Sequence, residues 1–138
     1  MKKIDNYKGC LDILEKADFS KADEDAIYRT GIIGQFHLTF ELAWKALHEV
    51  LRLHGVSGAE TGSPREILQL AYKVGFISDD QVWLLILKKR NTSVHICNED
   101  EIDELIVMTR DSFLPAFQKL AQTLTEKAAE AGAAAPEA

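Results

Sequence analysis

A regular stripe of apolar side chains in the first half of the chain constrains the fold more than any other feature. Between residues 23 and 54 the apolar positions recur at alternating steps of three and four: Ile33, Phe36, Phe40, Ala43, Leu47 and Val50. This spacing places them on one face of a helix, as in coiled coils and helical bundles. Gly55 follows, and glycine suits the left-handed position at which such a helix ends. The sequence therefore predicts one long bundle helix.

Two short helices are predicted after it. Ser63 and Glu66 have the spacing of a capping box, with Pro64 at the first helical position. We expect this helix to end before Gly75. The segment Ser78-Asp79-Asp80-Gln81 predicts a second helix start of the same kind. Both helices are expected to be shorter than the long bundle helix that precedes them.

The second of these helices carries residues 82–87, which are apolar on every helical face and so predict a buried helix. Lys88, Lys89 and Arg90 follow at once. We therefore expect a well-ordered basic rim at the edge of the core.

Helices are also predicted at the two ends of the chain. Apolar spacing predicts an outer helix over residues 1–17. Asn98, followed by five acidic residues within residues 99–104, has the pattern of an N-cap with a solvated acidic first turn. The last helix extends from there to Glu126, with a kink expected at Pro115.

These segments predict an all-α fold, namely an antiparallel up-and-down bundle of four to five helices. Residues 1–126 form a single bundle domain, and residues 127–138 are an Ala-rich flexible tail. A length of 138 residues with 46% hydrophobic and 28% charged residues is typical of one globular domain with its own core.

Charge and cysteine content exclude several classes of protein. The net charge of −6 disfavours a general nucleic-acid coat or a binder of anionic membranes, so any RNA contact must be local. Cys10 and Cys97 have no CxxC spacing, which indicates neither a disulfide framework nor a cysteine zinc site. No signal-peptide core or membrane-spanning run occurs. We expect a cytoplasmic protein.

Arg90 and His95, with four residues between them, are the pair best suited to chemistry on phosphate. RNA cleavage needs a base, an acid and a cation. His95 can serve as base or acid and Arg90 as the cation, without a metal or other cofactor. One chain supplies one such histidine, so a second copy would have to complete the site. Taken alone, the pair is more often a surface arginine near a helix-terminal histidine.

The remaining polar residues have simpler interpretations. His37, His48 and His54 lack the spacing of a metal site, so we expect them to flank the bundle and predict no metal. Glu41 and Lys45 are four residues apart and predict an ion pair on the helix surface.

The combination of motifs is more specific than any one of them. It comprises Phe40-Glu41-Leu42-Ala43-Trp44-Lys45, then Ser63-Pro64-Arg65-Glu66, Ala71, Gly75, Ile77 and Trp83, and finally Arg90-Asn91 with His95. This set resembles HEPN-domain proteins, and more narrowly their HepT-like branch of nucleotidyltransferase substrate-binding proteins. The resemblance spans nearly the whole chain apart from the tail.

The resemblance implies a homodimeric helical bundle that pairs with a minimal nucleotidyltransferase encoded by a neighbouring gene. Several HEPN proteins are metal-independent ribonuclease toxins of toxin–antitoxin systems, in which residues at the positions of Arg90 and His95 are catalytic. Related toxins carry a tyrosine two residues after the histidine, and their partner enzyme modifies it. This chain has Cys97 there.

Two functions are therefore predicted side by side. One is a HEPN-type endoribonuclease that uses Arg90 and His95 across a dimer. The alternative is a non-catalytic substrate-binding or regulatory subunit of the nucleotidyltransferase. For the binding subunit we expect Trp44, Lys45 and the edge from Lys88 to Arg90 to line a nucleotide-binding cleft, and the predicted substrate-binding residues are Asn91, Lys89, Lys88, Trp44 and Lys45.

Overall fold

The structure, a computed structural model, describes residues 1–60, 62–94 and 98–134. Its helices are α1 (Lys2–Glu15), α2 (Ala26–Leu53), α3 (Pro64–Lys73), α4 (Asp80–Ser93), α5 (Glu99–Met108) and α6 (Leu114–Ala134). A short 3₁₀ helix, Phe19–Asp23, joins α1 to α2. The described residues contain no β-strand, which confirms the all-α prediction.

Helices α5 and α6 are continuous through one π-helical turn, Thr109–Phe113, so the described chain forms five main helices besides the short 3₁₀ helix. In this turn the amide of Leu114 donates to the carbonyl of Thr109, five residues back. Pro115 has no N–H to offer the carbonyl of Asp111, four residues back. The irregularity expected at Pro115 therefore takes the form of a wider turn directly before it.

Three of the predicted helix ends are confirmed. Ser63 and Glu66 form a full capping box, with the Ser63 hydroxyl accepting from the Glu66 amide. Asn98 accepts from the first two free amides that its side chain can reach, those of residues 100 and 101. Gly55 has a φ of +67°, as the left-handed helix end requires. Local signals of this kind act over a few residues, which is why the sequence predicts them well.

The predicted start of α4 is wrong by one residue. Asp79, not Ser78, is the N-cap, and its carboxylate accepts from the amide of Val82 at 3.1 Å. The Ser78 hydroxyl instead accepts from Lys119 Nζ of α6 at 2.8 Å. A carboxylate caps as well as a hydroxyl does, so the sequence alone offers two adjacent caps and does not decide between them.

Helix α2 is the centre of the bundle, with α1 and α6 packed along it and α3, α4 and α5 also in contact. Its predicted stripe is buried except for Ile33, which is half-buried. Phe36 stacks on Phe113 with ring centres 5.6 Å apart. The hydroxyl of buried Tyr7 donates to the Phe117 carbonyl at 2.6 Å and so ties α1 to α6.

Helix α4 is less buried than its apolar sequence predicts. Trp83, Ile86 and Leu87 are buried, but the other apolar residues of that run are only half-buried: Val82, Leu84 and Leu85. The expectation of a helix buried on every side is therefore wrong. One side of α4 faces the core and the other borders solvent.

Helix α6 continues past Glu126 to Ala134, so its end lies within the Ala-rich segment. The ring of His54 contacts it there, with Nε2 at 2.7 Å from the Lys127 carbonyl. Among the described helices, none combines the length and apolarity needed to cross a bilayer.

Candidate functional site

Arg90 lies in the last turn of α4, where that helix meets the middle of α2. Its guanidinium lies over the ring of Phe40 at 5.8 Å. One terminal nitrogen donates to Glu41 Oε2 at 2.8 Å, and the other donates to Asn91 Oδ1 at 3.1 Å. The stack and the two hydrogen bonds hold the charge in a defined orientation at the surface.

Glu41 binds three of the side chains at this site. Its carboxylate accepts from Trp44 Nε1 at 3.2 Å and from Lys45 Nζ at 3.3 Å, in addition to Arg90. Burial alone would raise the pKa of Glu41, but the hydrogen bonds from Trp44 and Lys45, together with the two positive charges, outweigh burial and lower it. Glu41 is therefore ionised at neutral pH. The predicted ion pair with Lys45 is confirmed, and Arg90 is a second partner that the sequence did not reveal.

His37 lies one turn before Glu41 on α2 and reaches the same helix end. Its Nε2 hydrogen bonds with the Ser93 hydroxyl, which donates in turn to the Arg90 carbonyl at 3.2 Å. The Ser93 hydroxyl therefore links the His37 ring to the end of α4. Burial and, second to it, the Arg90 charge lower the pKa of His37, so the ring is neutral at neutral pH.

These side chains border a shallow surface groove, which we call the Arg90 groove. Its volume is about 540 Å³, and it is lined by Gly34, His37, Leu38, Glu41, Arg90, Asn91 and Val94. A side-chain carbon at Gly34 would meet no atom of the described residues within 4 Å, so the groove is wide at this position.

The charge at the groove is positive although the whole chain is acidic. Arg90 and Lys45 contribute two positive charges, and Glu41 contributes one negative charge. His37 is neutral, so the balance is one positive charge. Arg90 uses two of its N–H groups on Glu41 and Asn91, so three of the five that a guanidinium carries have no partner among the described residues. The groove can therefore accept an anionic group.

The structure does not bring all of the predicted binding residues together. Trp44 and Lys45 do not line the groove themselves, but both contact Glu41, which does. Trp44 also stacks on His48 with ring centres 6.2 Å apart. Lys88 and Lys89 lie outside the groove, whereas Arg90 and Asn91 line it. The predicted basic rim is thus divided between two directions, and the role of both lysines stays a prediction.

Lys89 instead faces the acidic start of α5. Its Nζ lies 3.5 Å from Glu104 Oε1. Arg29 of α2 pairs with two other carboxylates of α5, Glu99 at 3.1 Å and Asp103 at 3.2 Å. The acidic residues of α5 are exposed, as predicted, yet three of them also bind cations from α2 and α4. These ion pairs reduce the repulsion that this helix exerts on an anion near Arg90.

His95 and Cys97, on which the predicted nuclease chemistry and its control depend, lie outside the described residues. Among the residues that are described, no group of three or more histidine, cysteine or acidic side chains could hold a metal ion.

Sequence reasoning missed the part that His37, Glu41 and Ser93 play at this site. His37 and Glu41 are four residues apart and therefore share one face of α2. That spacing was the available signal. The sequence could not show that this face meets the end of α4, since that contact joins residues 49 positions apart.

Comparison with known proteins gives one family. A family model described as "Nucleotidyltransferase substrate binding protein like" matches residues 2–126. No curated protein matches the chain. Among solved structures, the chain is similar to a protein from Thermus thermophilus, with 25% sequence identity and a TM-score of 0.68. That match covers 88% of this chain and 97% of the other.

Proposed function

Because the chain belongs to the nucleotidyltransferase substrate binding protein like family, we propose that it is the non-catalytic substrate-binding subunit of a two-component module. Its partner is a minimal nucleotidyltransferase encoded by a neighbouring gene. The Arg90 groove binds an anionic part of the substrate, a nucleotide or an RNA. The family description names substrate binding and not cleavage, which favours this role over the ribonuclease.

The observation that carries the proposal is the orientation of Arg90. The guanidinium is stacked on Phe40 and fixed by Glu41, borders the open groove, and has N–H groups that are not bound to any other described residue. Arginine held in this way suits phosphate, because its planar donors match two phosphate oxygens at once. Glu41 orients the guanidinium without cancelling the positive charge of the groove, since Lys45 balances Glu41.

At a finer level we propose that the chain is a HepT-like HEPN protein and a homodimer. Leu38 and Val94, on the border of the groove, support the dimer because they are 48% and 59% exposed although apolar. A second copy covering this border would bring two Arg90 grooves close together. Sedimentation velocity at micromolar concentration is expected to give a dimer, and a monomer would contradict this part of the proposal.

Nucleotide binding tests the groove. Calorimetric titration of the full chain with ATP is expected to show binding that weakens tenfold or more in Arg90→Gln, since a charge-assisted hydrogen bond contributes about 1.5–3 kcal/mol. Arg65→Gln is the matched control, because Arg65 is exposed on α3 and lies outside the groove. Equal weakening in both variants would indicate non-specific charge attraction and would refute the site.

Incubation with RNA separates the two functions. The purified chain in a metal chelator is expected to leave RNA intact, and expression of the wild type and of His95→Ala is expected to affect growth equally. Cleavage that disappears in His95→Ala would overturn the binding-subunit proposal in favour of the ribonuclease that uses Arg90 and His95.

A further inference from the structure

A second concave site lies at the opposite end of α4 from the Arg90 groove. It is a cavity of about 400 Å³ between the start of α4, the loop before it and the face of α6 just beyond the π-helical turn. We call it the Trp83 cavity. Its volume is in the range of small-molecule sites, which begin at about 300 Å³.

The walls of the Trp83 cavity are mainly apolar. They are formed by Phe76, Ile77, Val82, Pro115 and Leu120 together with the ring of Trp83. The π-helical turn contributes Ser112 to the rim. The wider turn and Pro115 shape this end of the bundle, since both interrupt the regular helix where it borders the cavity.

The indole N–H of Trp83, a residue that lines this cavity, makes no hydrogen bond among the described residues. Trp83 is only 3% exposed, and its N–H has no hydrogen-bond partner in the described part of the chain. Every fully buried side-chain nitrogen or oxygen there does have a partner, so the Trp83 nitrogen must keep some access to solvent. The opening that Trp83 lines is the cavity. Trp44 differs, since its N–H is bound to Glu41.

A cationic donor stands at the mouth of the same cavity. Lys119 Nζ donates to the Ser78 hydroxyl at 2.8 Å, which fixes the ammonium and leaves two of its three protons for another acceptor. Asp79 is the acidic lining residue; its Oδ1 accepts from the Val82 amide as the cap of α4, where the positive end of the helix dipole offsets part of its negative charge. An acceptor group on a ligand would therefore meet donors at Trp83 and Lys119.

We propose that the Trp83 cavity binds a small apolar carboxylate. The apolar body fills the cavity against the indole ring, and the carboxylate accepts from Trp83 Nε1–H and Lys119 Nζ. This site is separate from the Arg90 groove and does not depend on the function proposed for it. The two tryptophans of the chain thus have different roles: Trp44 orients Glu41, and Trp83 binds the ligand.

Titration of the full chain with phenylbutyrate, followed by ¹H–¹⁵N NMR, tests the proposal. The two tryptophans give two indole signals, assigned with Trp44→Phe and Trp83→Phe. Phenylbutyrate is expected to shift the Trp83 signal and leave the Trp44 signal in place. A ligand of about 12 non-hydrogen atoms should bind with a dissociation constant on the order of 1 mM. A shift confined to Trp44 would overturn the proposal.

Matched ligands test the charge. Phenylbutanol and phenylbutylamine have the same apolar body, with a neutral and a cationic end. We expect both to bind about fivefold or more weakly than the acid. Equal binding of the alcohol, or tighter binding of the amine, would contradict a carboxylate site.

Variants locate the site. Lys119→Gln is expected to weaken phenylbutyrate binding about fivefold, and Lys73→Gln, at an exposed position of α3, is expected to leave it unchanged. Arg90→Gln should also leave it unchanged, which separates this site from the Arg90 groove. Because Lys119 is exposed, its substitution does not threaten folding and the test does not depend on Trp83 variants. Loss of binding in Arg90→Gln alone would overturn the assignment.

Discussion

The two ends of α4 have different surroundings, one apolar and buried and the other charged and half-exposed. At its amino end, Trp83 packs edge-on against Phe117 with ring centres 5.5 Å apart and keeps its N–H unpaired beside an apolar cavity, as far as the described residues extend. At its carboxyl end, Arg90 is half-exposed and bound to Glu41 and Asn91. The first end is defined by shape and burial, and the second by paired charges. One helix thus supports both a stable core and a polar groove, because its two ends face different surroundings.

The largest expected effect tests this contrast through stability. Trp83→Ala should lower the free energy of unfolding by about 3–5 kcal/mol, because it removes a buried aromatic side chain from the core. Arg90→Ala should cost about 0–1 kcal/mol, because an ion pair near the surface contributes little. Urea unfolding measures both. Similar losses for the two variants would show that the carboxyl end is also part of the stabilising core.

A smaller effect on stability tests which residue caps the amino end of α4. Asp79→Ala should cost about 1 kcal/mol through loss of the α4 cap. Ser78→Ala should cost less, since Ser78 only accepts a bond from the exposed Lys119. Thermal unfolding of the two variants compares them directly. A larger loss of stability in Ser78→Ala than in Asp79→Ala would show that Ser78 caps α4, as the sequence predicts.

Most of the fold could be predicted from the sequence, for reasons that differ between elements. The stripe on α2 and the capping box at Ser63 depend on residues that are close in sequence. The sequence does not decide between Ser78 and Asp79 as the cap of α4, and the contact that Ser78 makes instead is with Lys119, 41 residues away. The π-helical turn before Pro115 is also a product of packing, since proline predicts an irregularity but not its form.

The candidate site was predictable only in part. Arg90 and Asn91 were identified by their motif, and both line the groove. Glu41 was expected to pair with Lys45 alone, because helical spacing says nothing about the neighbouring helix. The Trp83 cavity had no sequence signal, since an unpaired indole N–H is visible only when its surroundings are known.

The smallest expected effect is a pH dependence of stability that arises from His37, beside the carboxyl end of α4. The pKa of His37 is lowered by burial and, second to it, by Arg90. The unfolded chain therefore binds this proton at a higher pH than the folded chain does. Stability should fall as the pH drops from the ordinary pKa of histidine toward the lower folded value. Urea midpoints at about pH 7 and about pH 5.5 should differ less in His37→Gln than in the wild type.

The same titration can be followed in the folded protein. NMR of the His37 ring should give a pKa below the ordinary histidine value, and Arg90→Gln should raise it, because one cause of the shift is removed. A His37 pKa at or above the ordinary value would contradict the pairing of this ring with the carboxyl end of α4.

The most direct test of the proposed function is the activity of the nucleotidyltransferase proposed above as the partner of this chain. Nucleotidyl transfer is measured with the enzyme alone, with the wild-type chain and with Arg90→Gln. The wild-type chain is expected to lower the KM for the transferred nucleotide or its acceptor, and Arg90→Gln is expected to lose most of that effect while still forming the complex. An unchanged KM with the wild-type chain, or an equal effect of Arg90→Gln, would contradict a substrate-binding role for the Arg90 groove.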